Sequence, residues 1–366
     1  MKYYIIAGEA SGDLHASNLM KELKVLDEKA SFRCWGGDLM KAQGAELVKH
    51  YRDLAFMGFT EVLMNIRTIF KNIDFCKQDI LEHKPDVLIL VDYPGFNLRI
   101  AEFAKAKGIK VFYYISPQIW AWKQSRVHKI KKVVDKMFVI LPFEKEFYNR
   151  FDYPVDFVGH PLLDAVANYT LQKNDLAIDS QKPVIALLPG SRKQEIATML
   201  PLMLSMKDSY PDHQFIIAGA PSQTKEYYQT FIGNSNVPIV FGQTYQLLQR
   251  SYAALVTSGT ATLETALFAV PEVVCYKGGA VSYTIAKQLI KVKYISLVNL
   301  IMDKEIVKEL IQNELNQTNL KMELDKLLKP DTRNKMLSDY AELKKKLGGS
   351  GASKKTAELM IRYLKG

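Results

Sequence analysis

The chain has 366 residues, a net charge of +10, 48% hydrophobic and 24% charged residues, an ordinary globular balance with room for two domains. Three cysteines (Cys34, Cys76, Cys275) without C-x-x-C spacing argue against a disulfide framework or a zinc cage. No secretory h-region and no run of about 18 apolar residues is present, so a soluble or peripheral protein in a reducing cytoplasm is expected.

The first predicted strand, Tyr3–Ile6, runs into Gly8-Glu9-Ala10-Ser11-Gly12-Asp13 at the turn into a helix over 14–26. That turn lacks the third glycine of a dinucleotide fingerprint, and Glu9 and Asp13 would repel a diphosphate. Further on, Phe59, Val62, Leu63, Ile66, Ile69, Phe70 and Ile73 fall on one helical stripe, with Met57 ahead of it and Arg67 and Lys71 on the polar face. A core-facing helix needs such a stripe; the apolar excess with flanking cations also suits a helix lying on a membrane.

An apolar strand, Asp86–Val91, ends at Asp92-Tyr93-Pro94-Gly95 before a helix over 97–107. An Asp at such a strand end can act as a general base, and an Asx turn or N-cap explains the same residues. The strand Lys110–Ile115 is followed by Ser116-Pro117-Gln118-Ile119-Trp120-Ala121-Trp122-Lys123, which holds two of the three tryptophans. Rigid rings beside Lys123 and Arg126 suit a sugar face or an acyl chain with a phosphate nearby, although core packing accounts for either ring alone. From Lys123 to Lys136 six Lys/Arg stand against Asp135 alone, and from Lys344 to Gly366 seven stand against Glu358 alone. Such local basic surfaces favour an anionic partner.

Strands at 137–141 and 155–158 complete the first half, and a polar connection over 172–182 leads into a second alternation. Its strands are expected at 184–188, 214–218, 238–241, 253–256, 272–276 and 294–297, with a charged, helix-rich remainder from Asp303. Strand and helix alternating in this way imply an α/β protein of two doubly wound, mostly parallel sheets, with ligands at the carboxyl ends of the strands. The domains are placed at 1–168 and 182–345, followed by a terminal helix over 346–366 beyond the hinge Gly348-Gly349-Ser350-Gly351. "GSGASKKT" imitates a phosphate-binding loop but follows no strand.

Two loops of the second half suit phosphates. Gly190-Ser191-Arg192 and Ser258-Gly259-Thr260 each follow a strand and open a helix, whose N-terminus favours an anion, and Arg192 adds a cationic fork. Glu264, one turn on, is placed to accept from a ribose diol. A diphosphate shared by the two loops is the reading, with a nucleotide as natural ligand. No D-x-D, H-E-x-x-H or G-x-S-x-G occurs.

Taken in order, "AGEASGD", "VDYPGFN", "SPQIWAWKQSR", "FVGHPL", "LPGSR", "TSGTATLE" and "YISLVNL" closely resemble the bacterial lipid-A-disaccharide synthases, inverting glycosyltransferases of the GT-B fold. The resemblance implies two Rossmann-like domains with a cleft between them and a C-terminal helix crossing back to the first. It implies transfer of 2,3-diacylglucosamine from its UDP derivative to the 6-hydroxyl of 2,3-diacylglucosamine 1-phosphate, giving a β-1,6-linked disaccharide 1-phosphate and UDP, without metal or cofactor. Asp92 aligns with the family's essential carboxylate, Arg192 and the Ser258 loop would stabilise the leaving UDP, and Asn299 would assist the donor. Glu9, Ser11 and Asp13 then become the acceptor-side floor, binding hydroxyls or orienting Asp92, with Gly8 and Gly12 admitting the sugar to the backbone. Gln118, Trp120 and Arg126 join them. The resemblance also places the protein at the cytoplasmic face of a Gram-negative inner membrane, through Met57, Phe59, Val62, Leu63, Ile66, Ile69 and Phe70, and allows a homodimer exchanging its C-terminal region.

Rival readings are a UDP-N-acetylglucosamine 2-epimerase or peptidoglycan-type transferase of the same fold, and a non-catalytic binder of UDP-sugar lipids. Nucleic-acid binding ranks last, for want of stacking aromatics on a recognisable recognition fold.

Overall fold

In a computed structural model of the chain, the structure describes residues 1–54, 66–122, 124–167, 169, 176, 181–233, 235–279 and 292–366. The chain divides into two compact units, one formed by Met1–Asp164 with Leu347–Gly366 and the other by Ala165–Lys346.

The first unit holds a parallel sheet of β1 (Lys2–Ala7), β2 (Ser31–Gly36), β3 (Glu46–His50), β4 (Val87–Val91), β5 (Lys110–Tyr114), β6 (Lys136–Val139) and β7 (Asp156–Phe157). Their order across the sheet is β3-β2-β1-β4-β5-β6-β7. The second unit repeats the plan with β8 (Val184–Leu188), β9 (Gln214–Gly219), β10 (Ile239–Phe241), β11 (Ser251–Thr257), β12 (Glu272–Tyr276) and β13 (Lys308–Ile311), ordered β10-β9-β8-β11-β12-β13. Both are doubly wound sheets whose strand order reverses beside the first strand, between β1 and β4 and between β8 and β11. The central strands Val-Leu-Ile-Leu-Val (β4) and Val-Ile-Ala-Leu-Leu (β8) are buried throughout, as strands covered by helices on both faces must be.

Three expected elements differ. The predicted strand over 294–297 is absent; Ser296 instead caps a helix Leu297–Met302, its hydroxyl accepting from Asn299 N–H at 3.3 Å. The last strand of the second sheet is β13, a charged edge strand in the stretch read as helical. Charged edge strands guard against pairing with other chains, and that charge is what hid it. The helix after β1 spans Ala10–Leu26, so Ser11 and Asp13 belong to its first turn rather than to a loop. β2 and β3 were not foreseen, because Arg33, Lys49 and His50 break their apolar pattern.

The terminal helix Ala352–Lys365 packs on the helix Ala10–Leu26 in the first unit. Its buried stripe, Ala352, Thr356, Ala357, Met360 and Ile361, has the spacing of one helix face. Gly348, Gly349 and Gly351, with φ of +93°, +76° and +103°, turn the chain into it. Asp164 then caps it, accepting from Gly351 N–H and from Ser353 N–H (3.0 Å). The glycines read as a hinge form this capped turn.

Candidate active site

In the first unit the loops after β1, β4 and β5 carry the residues of interest. β4 ends in two consecutive non-glycine residues in the left-handed region, Asp92 at φ +44° and Tyr93 at +48°. Each costs about 1–2 kcal/mol, and Tyr93 precedes Pro94, which ordinarily favours extended backbone. The loop is held by its main chain. Asp92 N–H donates to Tyr114 O (3.1 Å), and Asp92 O accepts from Tyr113 Oη (2.5 Å) and Asn97 Nδ2 (2.7 Å). The helix that follows starts at Pro94 with Tyr93 as N-cap, and the Asp92 carboxylate accepts from the Tyr93 backbone N–H. Burial first, and the nearby Glu9 charge second, push the Asp92 pKa up to about 7. A carboxylate tuned to neutrality at a strand end is what a general base for a sugar hydroxyl requires.

The first loop departs from its expected role. A Cβ on Gly8 would run into the Tyr93 ring, and one on Gly12 would lie 3.2 Å from Ala7 Cβ. Gly8 therefore admits a tyrosine ring of this chain, and Gly12 a neighbouring alanine, not a sugar. Asp13 is 2% exposed and accepts from Gly37 N–H (2.8 Å), Leu39 N–H (3.1 Å) and Met40 N–H (3.1 Å). It caps the short helix Asp38–Ala42 instead of reaching a ligand. Glu9 is partly exposed within electrostatic range of Asp92, and Ser11 is exposed.

After β5, Gln118 is exposed and Arg126 partly so, with the Arg126 charge felt at Tyr113. Trp120, however, is only 8% exposed and packs edge-on against Phe143, with centroids 4.9 Å apart. Its role is core packing; Lys123 and the Trp122 side chain lie outside the described residues. Sequence reasoning missed Glu144, fully enclosed under this loop. It accepts from Ser116 Oγ (2.8 Å), Leu141 N–H (2.9 Å) and Ile140 N–H (3.2 Å), and burial pushes its pKa up to about 7. The only signal was its place three residues after a helix start, the capping-box position.

Of the expected membrane stripe, Met57, Phe59, Val62 and Leu63 and the Ile66 side chain lie outside the described residues. Ile69 is partly buried, while Phe70 (49%) and Phe75 (50%) stand exposed on the helix Ile66–His83.

In the second unit β8 and β11 are neighbours, with Leu188 opposite Val256, so the loops after them leave the sheet side by side at the switch point. Gly190 needs its φ of +100°, and a Cβ there would sit 2.6 Å from the Glu195 carboxylate. That carboxylate already accepts from Ser191 N–H (3.1 Å) and Arg192 N–H (3.2 Å), and its other oxygen lies 3.4 Å from the exposed Arg192 guanidinium. The main-chain donors assigned to a phosphate are thus held by the chain's own anion, with Arg192 as N-cap and Glu195 at the third helical position. Ser222 Oγ and Gln223 Nε2 brace the loop by donating to Ser191 O. In the second loop Ser258 Oγ donates to Ile295 O (3.2 Å), and Gly259 and Thr260 are exposed at the N-terminus of Thr260–Leu267. The leading N–H groups of that helix have no intrahelical acceptor. Glu264 accepts from Tyr245 Oη (2.9 Å), and burial raises its pKa.

Asn299 does not fit a donor site. It is 0% exposed; Oδ1 accepts from Ile306 N–H (2.7 Å) and Val307 N–H (3.0 Å), and Nδ2 donates to Val307 O and Glu309 (both 2.9 Å). All its capacity is used in joining Leu297–Met302 to β13. Asn299→Ala is expected to destabilise the protein by about 2 kcal/mol through orphaned buried groups, read as a lowered urea midpoint; an unchanged midpoint would oppose this clamp role.

With the geometry in place, comparison with known proteins is informative. A family model described as lipid-A-disaccharide synthetase matches residues 3–362. A lipid-A-disaccharide synthase of Geobacter metallireducens is 40% identical over 370 residues, covering 98% of this chain and 96% of that protein. Lipid-A-disaccharide synthase 1 of Legionella pneumophila (strain Paris) is 37% identical over 371 residues, covering 98% and 97%. Among solved structures, a UDP-GlcNAc 2-epimerase from Neisseria meningitidis bound to UDP-GlcNAc has a TM-score of 0.68 at 15% identity, covering 99% of this chain and all (100%) of that one. The calicheamicin glycosyltransferase CalG4 has a TM-score of 0.62 at 14% identity, covering 100% and 98%. At such identities these structures speak for fold alone, two Rossmann-like domains of the GT-B class. The match along nearly the whole length, with the carboxylate at the end of β4 and the paired loops after β8 and β11, makes this chain a member of the lipid-A-disaccharide synthetase family.

Proposed function

We propose that this glycosyltransferase condenses UDP-2,3-diacylglucosamine with 2,3-diacylglucosamine 1-phosphate to form the β-1,6-linked lipid A disaccharide 1-phosphate and UDP. The observation that carries the residue assignment is Asp92, buried, strained and with its pKa raised towards neutral pH at the end of β4. Its carboxylate takes the proton of the acceptor 6-hydroxyl as that oxygen bonds to the anomeric carbon of the donor. The bond from that carbon to the UDP oxygen breaks, and UDP departs with the electron pair. Arg192 and the loop Ser258-Gly259-Thr260 stabilise the charge developing on the diphosphate, the task a metal would otherwise perform. Gly190 and Ser191 shape the loop that carries Arg192, and Glu264 meets the ribose. Glu9, Ser11, Gln118 and Arg126 contact the acceptor.

Both substrates are phosphorylated lipids, so the enzyme works at the cytoplasmic face of a Gram-negative inner membrane. The exposed Phe70 and Phe75 beside Arg67 and Lys71 support attachment through the helix Ile66–His83. Among the described residues no helix is long and apolar enough to cross a bilayer. A homodimer exchanging the terminal helix would reuse the Asp164 cap on the other chain.

The test is synthesis from the two purified substrates in detergent with EDTA present, read by mass spectrometry. The disaccharide 1-phosphate and UDP are expected in equal amounts. No product from intact donor would overturn the assignment, and product only without EDTA would overturn metal-free catalysis.

A further inference from the structure

The strained turn that carries Asp92 has no glycine at either left-handed position and is followed by proline, so its own sequence favours another conformation. Released, Asp92 and Tyr93 would relax to extended backbone, and the carboxylate would move with them. Two wholly buried side chains oppose that relaxation. Tyr113, on the neighbouring strand β5 opposite Leu90, donates its hydroxyl to Asp92 O at 2.5 Å. Asn97, in the first turn of the helix, donates its amide to the same oxygen at 2.7 Å and to Val91 O at 3.3 Å. Neither hydrogen bond is to the carboxylate. Both grip the peptide next to it, and the Asp92 N–H is fixed to Tyr114 O on the same strand as Tyr113.

We infer that Tyr113 and Asn97 are positioning residues for the reaction, a two-donor clamp on the Asp92 carbonyl that keeps the turn left-handed and so fixes where its carboxylate stands. The inference rests on the reading of Asp92 as the base. It explains why a tyrosine hydroxyl and an asparagine, both polar, are buried beneath an apolar strand end. Strain held by surrounding structure at a reacting group is a known means of preorganisation, and here the residues that hold it can be named.

The experiment is a double-mutant cycle between Tyr113→Phe and Asp92→Asn in the full-length enzyme, with Asn97→Ser as a second arm. Tyr113→Phe keeps the ring and deletes only the hydroxyl. The expected result is a kcat lower by about tenfold to a hundredfold, KM for both substrates within about twofold, and UDP affinity unchanged by calorimetry as a check of the folded second unit. In the Asp92→Asn background the same change should cost nothing more, because there is no base left to position. Asn97→Ser should behave alike. Full turnover in Tyr113→Phe, or an equal proportional loss in both backgrounds, would overturn the clamp. Should Asp92→Asn itself retain turnover, the base assignment fails; should it lose turnover while Tyr113→Phe does not, only the clamp fails.

Discussion

Asp92→Asn is expected to lower turnover by about 10²–10⁴-fold, the usual worth of a general base, with the protein folded and UDP still bound. The amide keeps the size of the side chain and cannot accept the proton. With Asp92 as the proposed base only the ionised carboxylate is active, and burial with the Glu9 charge pushes its pKa up to about 7. The sign follows: kcat/KM of the wild-type enzyme rises about tenfold per pH unit on the acid side and levels off above neutrality. Because Glu9 raises the Asp92 pKa, Glu9→Gln should move this acid limb to lower pH, whereas a residue that only contacts the acceptor would alter KM and leave the limb in place. A flat pH–rate profile between pH 5 and 8, where a base tuned to about 7 must titrate, would oppose the assignment.

The second large effect is on stability. Asp13→Ala should destabilise the protein by about 3–5 kcal/mol, because three backbone N–H groups, those of Gly37, Leu39 and Met40, lose their side-chain acceptor. Asp13→Asn should lose less, since its amide keeps one oxygen for these donors while its NH₂ faces them. Denaturant unfolding measures both. At a temperature where the variants remain folded, KM for the acceptor should be close to wild type. A large rise in KM with an unchanged unfolding midpoint would return Asp13 to the acceptor site.

The two corrections of greatest consequence share a cause. Asp13 and Asn299 look like ligand residues in sequence because each is polar, beside a strand or helix end and within a family motif. Their actual partners lie on other elements: the turn at Gly37–Met40 for one, Ile306–Glu309 for the other. The same holds for Gly8, whose missing side chain makes room for Tyr93, 85 positions along the chain. Glu195 differs, since its partners are only three and four residues away along the chain.

The sequence alone determined the fold class, the positions of most strands, and the loops in which chemistry had to be sought. Those properties follow from local periodicity and from the rule that parallel sheets bind ligands at their carboxyl ends. The loop holding Asp92 could be found that way; whether its carboxylate was a base or a cap could not. Only the tertiary structure brought Tyr113 and Asn97 to its carbonyl and buried its carboxylate near Glu9. A buried polar group must be paired, and when its partner comes from a distant element only the folded chain tells which polar residues remain for a ligand.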